Sequence, residues 1–488
     1  MRWLGSVVCL LSACGGRGEL CEAESLQRAL DRADRGSTVR MGRCRIDGSI
    51  AVPEEVTLLG AANDADEDNG IFSDEGAAVT LAPGAAVRNV HIASSGHTAL
   101  LVTGERGEGA RQVANLRVQV RRGAGLAVRG GTVRVVSTSF TGAVDDPSDP
   151  RFIRVAGFRV ESACPDDLVC ACTPGEVDGD LVCDDEGQWA TWTSVYGIYA
   201  RDAMVTLENV DLADFAEIGA AFITSELEWT GGTIQGVLGV GSLVRGGTAD
   251  VHGVTVQTSA EGLRGLASYA WIATDEARFT SESLVLADNE RYGFLNAGAT
   301  GAHVDLVARD NGDVGVWVQS DDFSLSGSGT VLERNAFAGI VVTESTNVVI
   351  ADATIQGTTS VRRTLGDLFG AQEIGDGVHM TASDAITMRG LTIRANERGG
   401  LLVDLGGGTP SFEDVQVDVV GEGFGALAGD LMGGDITVGT PALRWDDGIT
   451  RSAAAMTADE DFMGVVDAVG VDAPQGFRDR IGIVYPMF

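Results

Sequence analysis

An Asn followed four positions later by a Gly, and then by an apolar-any-apolar strand, recurs through the second half of the chain. The instances run Asn289 to Gly293, Asn311 to Gly315, Asn335 to Gly339 and Asn396 to Gly400. Extended through the strands that follow each Gly, the ladder reads Gly197, Gly219, Gly241, Gly265, Gly293, Gly315, Gly339, Gly377, Gly400 and Gly425. Most steps are about 22 to 25 residues, and short alternating strands at that period point to a parallel β-helix rather than a helical solenoid. The steps into Gly293 and Gly377 are longer and imply insertions. Gly and Asn are expected to supply positive-φ corners, and Asn side chains at one register to stack as an amide ladder.

The composition suits a thin coil: 67 of 488 residues are Gly and aromatics are 6%. A narrow cross-section is expected to bury Val, Ile, Leu and Ala in stacked rows instead of large aromatic clusters. The net charge is −35, with 70 acidic residues against 35 basic ones, and every basic one is Arg. Such a chain is a poor partner for nucleic acid or anionic lipid, and it has no Lys to act as a catalytic base.

Residues 1–13 read as a short export signal, with Arg2 before an apolar stretch from Trp3 to Leu11. The run Leu11-Ser-Ala-Cys14-Gly15 resembles a bacterial lipobox. That resemblance implies lipidation at Cys14 and, with Gly15 rather than Asp following, an outer-membrane lipoprotein facing the periplasm or the exterior. No later apolar run reaches the length of a membrane span. Beyond Cys9 and Cys14, the cysteines form two local groups: Cys21 with Cys44, and Cys164, Cys170, Cys172 and Cys183 inside one insertion. In an exported chain these read as disulfides. The first two would clip the start of the chain to the coil, and the second group leaves three pairings open. A zinc reading of Cys170 and Cys172 is weaker, because no His lies nearby.

Residues 22–35 have helical periodicity and precede Thr38-Val39, Val56-Thr-Leu-Leu-Gly60 and Val79-Thr-Leu-Ala-Pro-Gly84. A helix followed by such strands resembles the entrance of pectin-lyase-like, right-handed parallel β-helix proteins. There a helix caps an end rung that would otherwise expose its core and a strand edge. The resemblance implies an all-β, single-stranded solenoid with an N-terminal capping helix and a Cys-rich insertion. The coil would run over residues 39–440, interrupted at about 145–192 and 358–373. Residues 14–38 would form the anchor, spacer and cap, and residues 441–488 a C-terminal cap or tail.

Side chains alternate along a strand, so residues one and three after each ladder Gly face inward and residues two and four after it face outward. The outward columns then contain Trp317, Gln319, Thr343, His379, Thr381 and Asp404, a candidate glycan-binding strip with an aromatic platform beside hydroxyl and amide groups. The competing reading is an outer face covered by loops and insertions. Hydrolysis of a glycosidic bond needs two carboxylates at a defined separation. Asp322 and Asp384 share an offset two rungs apart, with Asp321 and Glu344 beside them, and are the candidate catalytic acids. The chain departs from the polygalacturonase-like pattern, since Gly377-Val-His379 replaces Gly-His-Gly and no Arg-Ile-Lys follows. Arg201 and Arg245 are candidates for a lyase, without an acidic cluster at their register. Asp64, Asp66, Asp68, Gly70 and Glu75 follow the spacing of a Ca²⁺ loop. The bland alternative is a solvated acidic connection, and no cofactor is required beyond such a structural Ca²⁺.

Two functional readings follow. One is a lipid-anchored, non-catalytic binding or structural scaffold at the cell envelope, holding glycans or a cell-surface protein. The other is a polysaccharide lyase or glycoside hydrolase acting on extracellular polymer.

Overall fold

The structure, a computed structural model, describes residues 21–60, 69–74, 76–95, 98–121, 123–142, 158–160, 182–184, 194–215, 218–257, 259–260, 268–364, 371–397, 399–404, 411–413, 415–417, 424–429, 443–445 and 450–451. The chain winds as a parallel β-helix in which each strand pairs with the strand one turn later. Three parallel sheets result, called A, B and C here. Sheet A carries the ladder strands, among them Tyr292–Ala297, Val314–Gln319, Ala338–Thr343, Asp376–Thr381 and Gly399–Asp404. Sheet B includes Thr57–Leu59, Arg278–Glu282 and Phe323–Ser326, and sheet C includes Arg45–Asp47, Val307–Arg309 and Thr354–Gln356. In the middle of the coil Ile218–Thr230 and Val240–His252 bend without a break from sheet A into sheet B and pair along their whole length.

The inward positions follow the alternation. Val316, Val318, Ile340, Val342, Val378, Met380 and Leu401 are all buried in one continuous core. Helix Ala23–Asp31 closes the N-terminal end with Leu26 and Leu30, both buried, and the disulfide Cys21–Cys44 ties its start to the first turn. The second interruption leaves the coil as an antiparallel pair, Val361–Thr364 with Ala371–Ile374. In the first, Phe158–Val160 pairs with Val182–Asp184. Cys164, Cys170 and Cys172 lie outside the described residues, as does the side chain of Cys183.

The amide ladder forms. Asn289 Nδ2 donates to Asn311 Oδ1 at 2.8 Å, and Asn311 Nδ2 to Asn335 Oδ1 at 2.8 Å. Where the long step interrupts the pattern, Thr358 takes the Asn place and its N–H donates to Asn396 Oδ1 at 3.0 Å. The expected positive-φ corners are held by glycines such as Gly236, Gly253 and Gly390 and by Asn, Asp and Ser, for example Asn115, Asp288, Asp305 and Asp310. The ladder glycines serve another purpose, since those among the described residues do not have positive φ. What excludes a side chain is close approach: a Cβ on Gly315 would lie 2.6 Å from Asn335 Nδ2 and 2.6 Å from Gly339 O. Gly and Asn are therefore one device, the bare backbone making room for the amide of the turn that follows.

Two expectations are corrected. The ladder does not pass through Gly265: Ser242 pairs with Trp271 and Leu243 with Ile272, so Ala270 takes the glycine place. The extra residues of that step precede Tyr269, and Ile272 and Thr274 replace Ala267 and Tyr269 in the outward columns. The core also contains an aromatic run. Trp271 and Phe279 stack at 5.1 Å with rings 2° apart, Trp229 lies 6.1 Å from Trp271, and Phe279, Phe294 and Phe323 surround His303. Few aromatics suffice because they are concentrated in adjacent rungs.

Candidate functional site

The outward column of sheet A runs Tyr199, Ala221, Leu243, Ile272, Leu295, Trp317, Val341, His379 and Leu402. This face is covered along much of its length. Trp317 is 4% exposed and packs with Tyr292, Phe337 and Val341, its Nε1 donating to Thr343 Oγ1 at 3.1 Å. His379 is 0% exposed, with Nδ1 3.0 Å from Asp376 Oδ2, and Thr381 is buried beside it. Trp317 and His379 thus occupy one face two rungs apart, as expected, but they present no open platform to a sugar. Gln319 binds Glu344 at 3.2 Å, and Asp404 ends its strand in register with Gly429.

The turn carboxylates are exposed and bond to neighbouring turns. Asp321 Oδ1 accepts from the N–H of Thr346 at 3.1 Å, and Asp322 Oδ1 accepts from Asn347 Nδ2 at 3.2 Å. Thr346 bridges to Asp384, and its carbonyl accepts the N–H of Asp322 at 3.0 Å. Asp322 and Asp384 therefore flank one intervening rung, about 10 Å apart at rung spacing. Asp64, Asp66, Asp68 and Glu75 of the Ca²⁺-loop spacing lie outside the described residues. Gly70 opens strand Gly70–Ser73 and gives its N–H to Cys44 O at 3.1 Å. Arg201 lies 3.7 Å from Asp202, and Arg245 pairs with Asp275. Among the described residues no cluster of His, Cys, Asp or Glu has metal-holding geometry, and no helix is long and apolar enough to cross a membrane.

The open chemistry lies on sheet B, where sequence reasoning confined to the strands after each ladder Gly did not look. Val205 and Leu207, Leu227 and Trp229, Ala249 and Val251, and Phe279 and Ser281 point inward. The residues between them point out, in register: Thr206, Glu228, Asp250 and Thr280 in one column, and Glu208, Thr230, His252 and Glu282 in the next. A groove of about 390 Å³ crosses these rungs, lined by Thr206, Glu226, Glu228, Thr248, Asp250 and Arg278 among others. Arg106 Nε donates to Asp202 O at 2.9 Å, its guanidinium also bonds Thr224 O, and Glu226 lies 3.5 Å away.

Electrostatics divide the groove's acids. Thr280 Oγ1 donates to Asp250 Oδ1 at 2.7 Å, and His252 Nε2 sits 3.1 Å from Asp250 Oδ2 and its Nδ1 3.4 Å from Glu282. Partial burial pulls Asp250 upward, but the Thr280 hydrogen bond and the His252 contacts outweigh it and hold it below the usual carboxylate range. The same Asp250 hydrogen bond raises His252, against partial burial and with help from Glu282. Glu228, in register with Asp250 one rung away, has no such partner among the described residues. The signal was present in the sequence as the 22-residue offset between Leu-Glu228-Trp and Ala-Asp250-Val.

No protein-family model and no curated protein matches this sequence. Solved structures with similar coils include the catalytic unit of a thermostable GH87 α-1,3-glucanase from Streptomyces thermodiastaticus, at 12% identity and a TM-score of 0.43 over 83% of this chain and 65% of that one. A periplasmic alginate epimerase is 12% identical, with a TM-score of 0.35 over 81% and 82% of the two chains. The active domain of bacteriophage CBA120 tailspike protein 2 is 10% identical, with a TM-score of 0.32 over 75% and 44%. The chain thus spans about two thirds of the glucanase unit, and no residue role passes across likenesses at this level.

Proposed function

We propose that this chain is an exported, lipid-anchored β-helix that binds a neutral or amino-bearing glycan along the outward face of sheet B. The observation that carries this reading is the groove. Hydroxyls of Thr206, Thr248 and Thr280, carboxylates of Glu228 and Asp250, and the guanidinium of Arg278 converge on one extended depression. Such donors and acceptors orient sugar hydroxyls, and the excess of carboxylates disfavours an acidic polymer. Export is supported by the Cys21–Cys44 disulfide, and anchoring by the lipobox-like Leu11 to Gly15.

One observation favours hydrolysis as a second reading. Glu228 and Asp250 are register partners, so their Cα atoms lie about 4.8 Å apart, close to the carboxyl separation of retaining glycosidases. In that reading Asp250, held below the usual carboxylate range, stays ionised, and Glu228 is its partner carboxylate. A panel of neutral, amino-bearing and acidic oligosaccharides tests both, reading binding and new reducing ends together. Binding lost in Glu228→Gln without products in the wild type supports the scaffold; products lost in that variant establish hydrolysis. Wild-type protein that retains no member of the panel refutes both.

A further inference from the structure

A second exposed constellation lies near the N-terminal end on sheet C, away from the groove. Strands Arg45–Asp47, Gly70–Ser73, His91–Ser94 and Arg117–Val120 stack in register, with Ile46, Ile71, Ile92 and Val118 buried beneath. Outward alternation then places Arg45, Gly70, His91 and Arg117 in one column and Asp47, Phe72, Ala93 and Gln119 in the next. Arg121 continues the outward series of the last rung, its N–H bonded to Ser94 O at 2.9 Å.

Among the described residues this face carries Arg45, Arg117 and Arg121 against Asp47 and Asp74. Arg117 and Arg121 are exposed, and among the described residues neither has a carboxylate partner. Arg45 is held in place from two directions. Its guanidinium lies 3.9 Å from the centroid of Phe72, and its Nε bonds Asp47 Oδ1 at 2.7 Å. His91 meets the same ring edge-on at 5.5 Å. The neighbouring disulfide at Cys44 fixes the strand that begins with Arg45. Gly70 admits no side chain, since a Cβ there would lie 2.3 Å from His91 O, and Ala93 is small. Across the middle of the face Gly70 and Ala93 thus alternate with the rings of His91 and Phe72, with cations at the borders and Gln119, Ser139 and Thr141 as polar neighbours on adjoining positions.

We propose that this face binds an acidic oligosaccharide, its carboxylates reaching Arg117, Arg121 and Arg45 and its hydroxyls reaching Gln119 and Thr141. Guanidinium groups pair with carboxylates through two parallel hydrogen bonds. A stacked Arg45 loses little freedom on binding, because its aromatic platform has already ordered it. Two Arg on one rung without a carboxylate partner among the described residues give this face a local positive field on an acidic protein. This site is independent of the sheet B groove and takes the opposite class of sugar.

The test is calorimetric titration of the protein from Gly15 onward with a polyuronate oligomer, a neutral oligomer of equal length, and inorganic sulfate. The uronate oligomer is expected to bind with a strong salt dependence. Arg117→Gln and Arg121→Gln should each weaken it roughly tenfold, the size of one lost charge-assisted hydrogen bond, and Arg117→Lys should recover part of the loss. Phe72→Ala should weaken it roughly threefold by freeing Arg45. Arg278→Gln, in the groove, should leave it unchanged, and the variants' unfolding midpoints should match the wild type. No uronate binding, equal affinity in the Arg117→Gln, Arg121→Gln double variant, or equal binding of the neutral oligomer overturns the proposal. Competition by sulfate at the same concentration overturns it in favour of a simple anion site.

Discussion

His303 makes the interior of the coil sensitive to acid. Its ring is 0% exposed and lies 4.9, 5.0 and 5.1 Å from the rings of Phe279, Phe294 and Phe323. Nδ1 is 2.9 Å from Ser281 Oγ, and burial pushes the imidazole down to about 3. The unfolded chain binds a proton near 6.5, whereas the folded chain does not until about 3. Stability from this residue is therefore complete above pH 6.5 and lost progressively as pH falls toward 3. The slope is about 1.4 kcal/mol per pH unit, or about 2 kcal/mol between pH 6.5 and 5. His303→Leu removes the effect while keeping an apolar side chain, at a pH-independent cost of about 1 kcal/mol for the orphaned Ser281 hydroxyl. Urea unfolding followed by fluorescence of the buried Trp229 and Trp271 at pH 7.5 and pH 5 gives the comparison. The variant should gain about 2 kcal/mol relative to wild type on moving to pH 5. A difference that stays constant within about 0.5 kcal/mol would show that the folded protein protonates this imidazole, and would refute the reasoning.

Other consequences concern the ladder, the groove and the clip. Gly315→Ala should cost about 1–3 kcal/mol, because the new Cβ meets Asn335 Nδ2 and Gly339 O; an unchanged urea midpoint would contradict the close-approach account. Asn311→Ala should cost about 3 kcal/mol, since it removes bonds to Asn289, Asn335 and Leu286 O; hydrogen exchange should quicken first at residue 289, whose N–H donates to Asn311 Oδ1. His252 should titrate above 6.5 by NMR and return toward 6.5 in Asp250→Asn. Its contribution to stability is present below 6.5 and fades as pH rises through the raised value, and its half-exposed position keeps it under about 1 kcal/mol. Reducing Cys21–Cys44, separated by 23 residues, should cost about 3 kcal/mol in the chain-entropy account and free helix Ala23–Asp31 ahead of the coil, as protease cleavage would report.

The fold was legible because a β-helix writes its geometry repeatedly. Each turn must present the same inward pair and the same Gly-to-amide fit, so Asn289, Asn311 and Asn335 announce one another. The slip at Gly265 shows the limit of that signal: any Gly near the expected spacing can stand in for the true one, and only pairing of Ser242 with Trp271 identifies Ala270. Site residues were less legible, because the repeat that builds the core says nothing about which of three outer faces stays open. Trp317 and His379 were correctly placed on one face, yet burial of that face depends on what packs over it. Glu228 and Asp250 lie nine residues beyond Gly219 and Gly241, on the parts of strands Ile218–Thr230 and Val240–His252 that have bent into sheet B, past the few positions after each glycine over which the alternation is read.

The three faces differ in a way that locates chemistry without reference to any catalytic motif. A coil buries its inward residues whatever else it does, so outward composition is free to record what each face meets. Sheet A shows Ala221, Leu243, Ile272, Leu295 and Val341 outward, residues suited to packing, with Ala221 and Val341 buried and the other three half-buried. Sheet B shows Thr206, Glu228, Asp250 and Thr280 in the same sense, a column that could not be covered without desolvating its carboxylates. On sheet A the polar groups bond inward or to each other, as Trp317 with Thr343 and His379 with Asp376 do, whereas on sheet B Glu228 keeps its acceptors for solvent or ligand. A substitution such as Val341→Glu on sheet A, where the side chain is fully buried, should therefore destabilise the coil by burying a charge. Glu228→Leu on sheet B should leave folding intact and act only on binding, and a measured reversal of those two outcomes would assign the faces the other way.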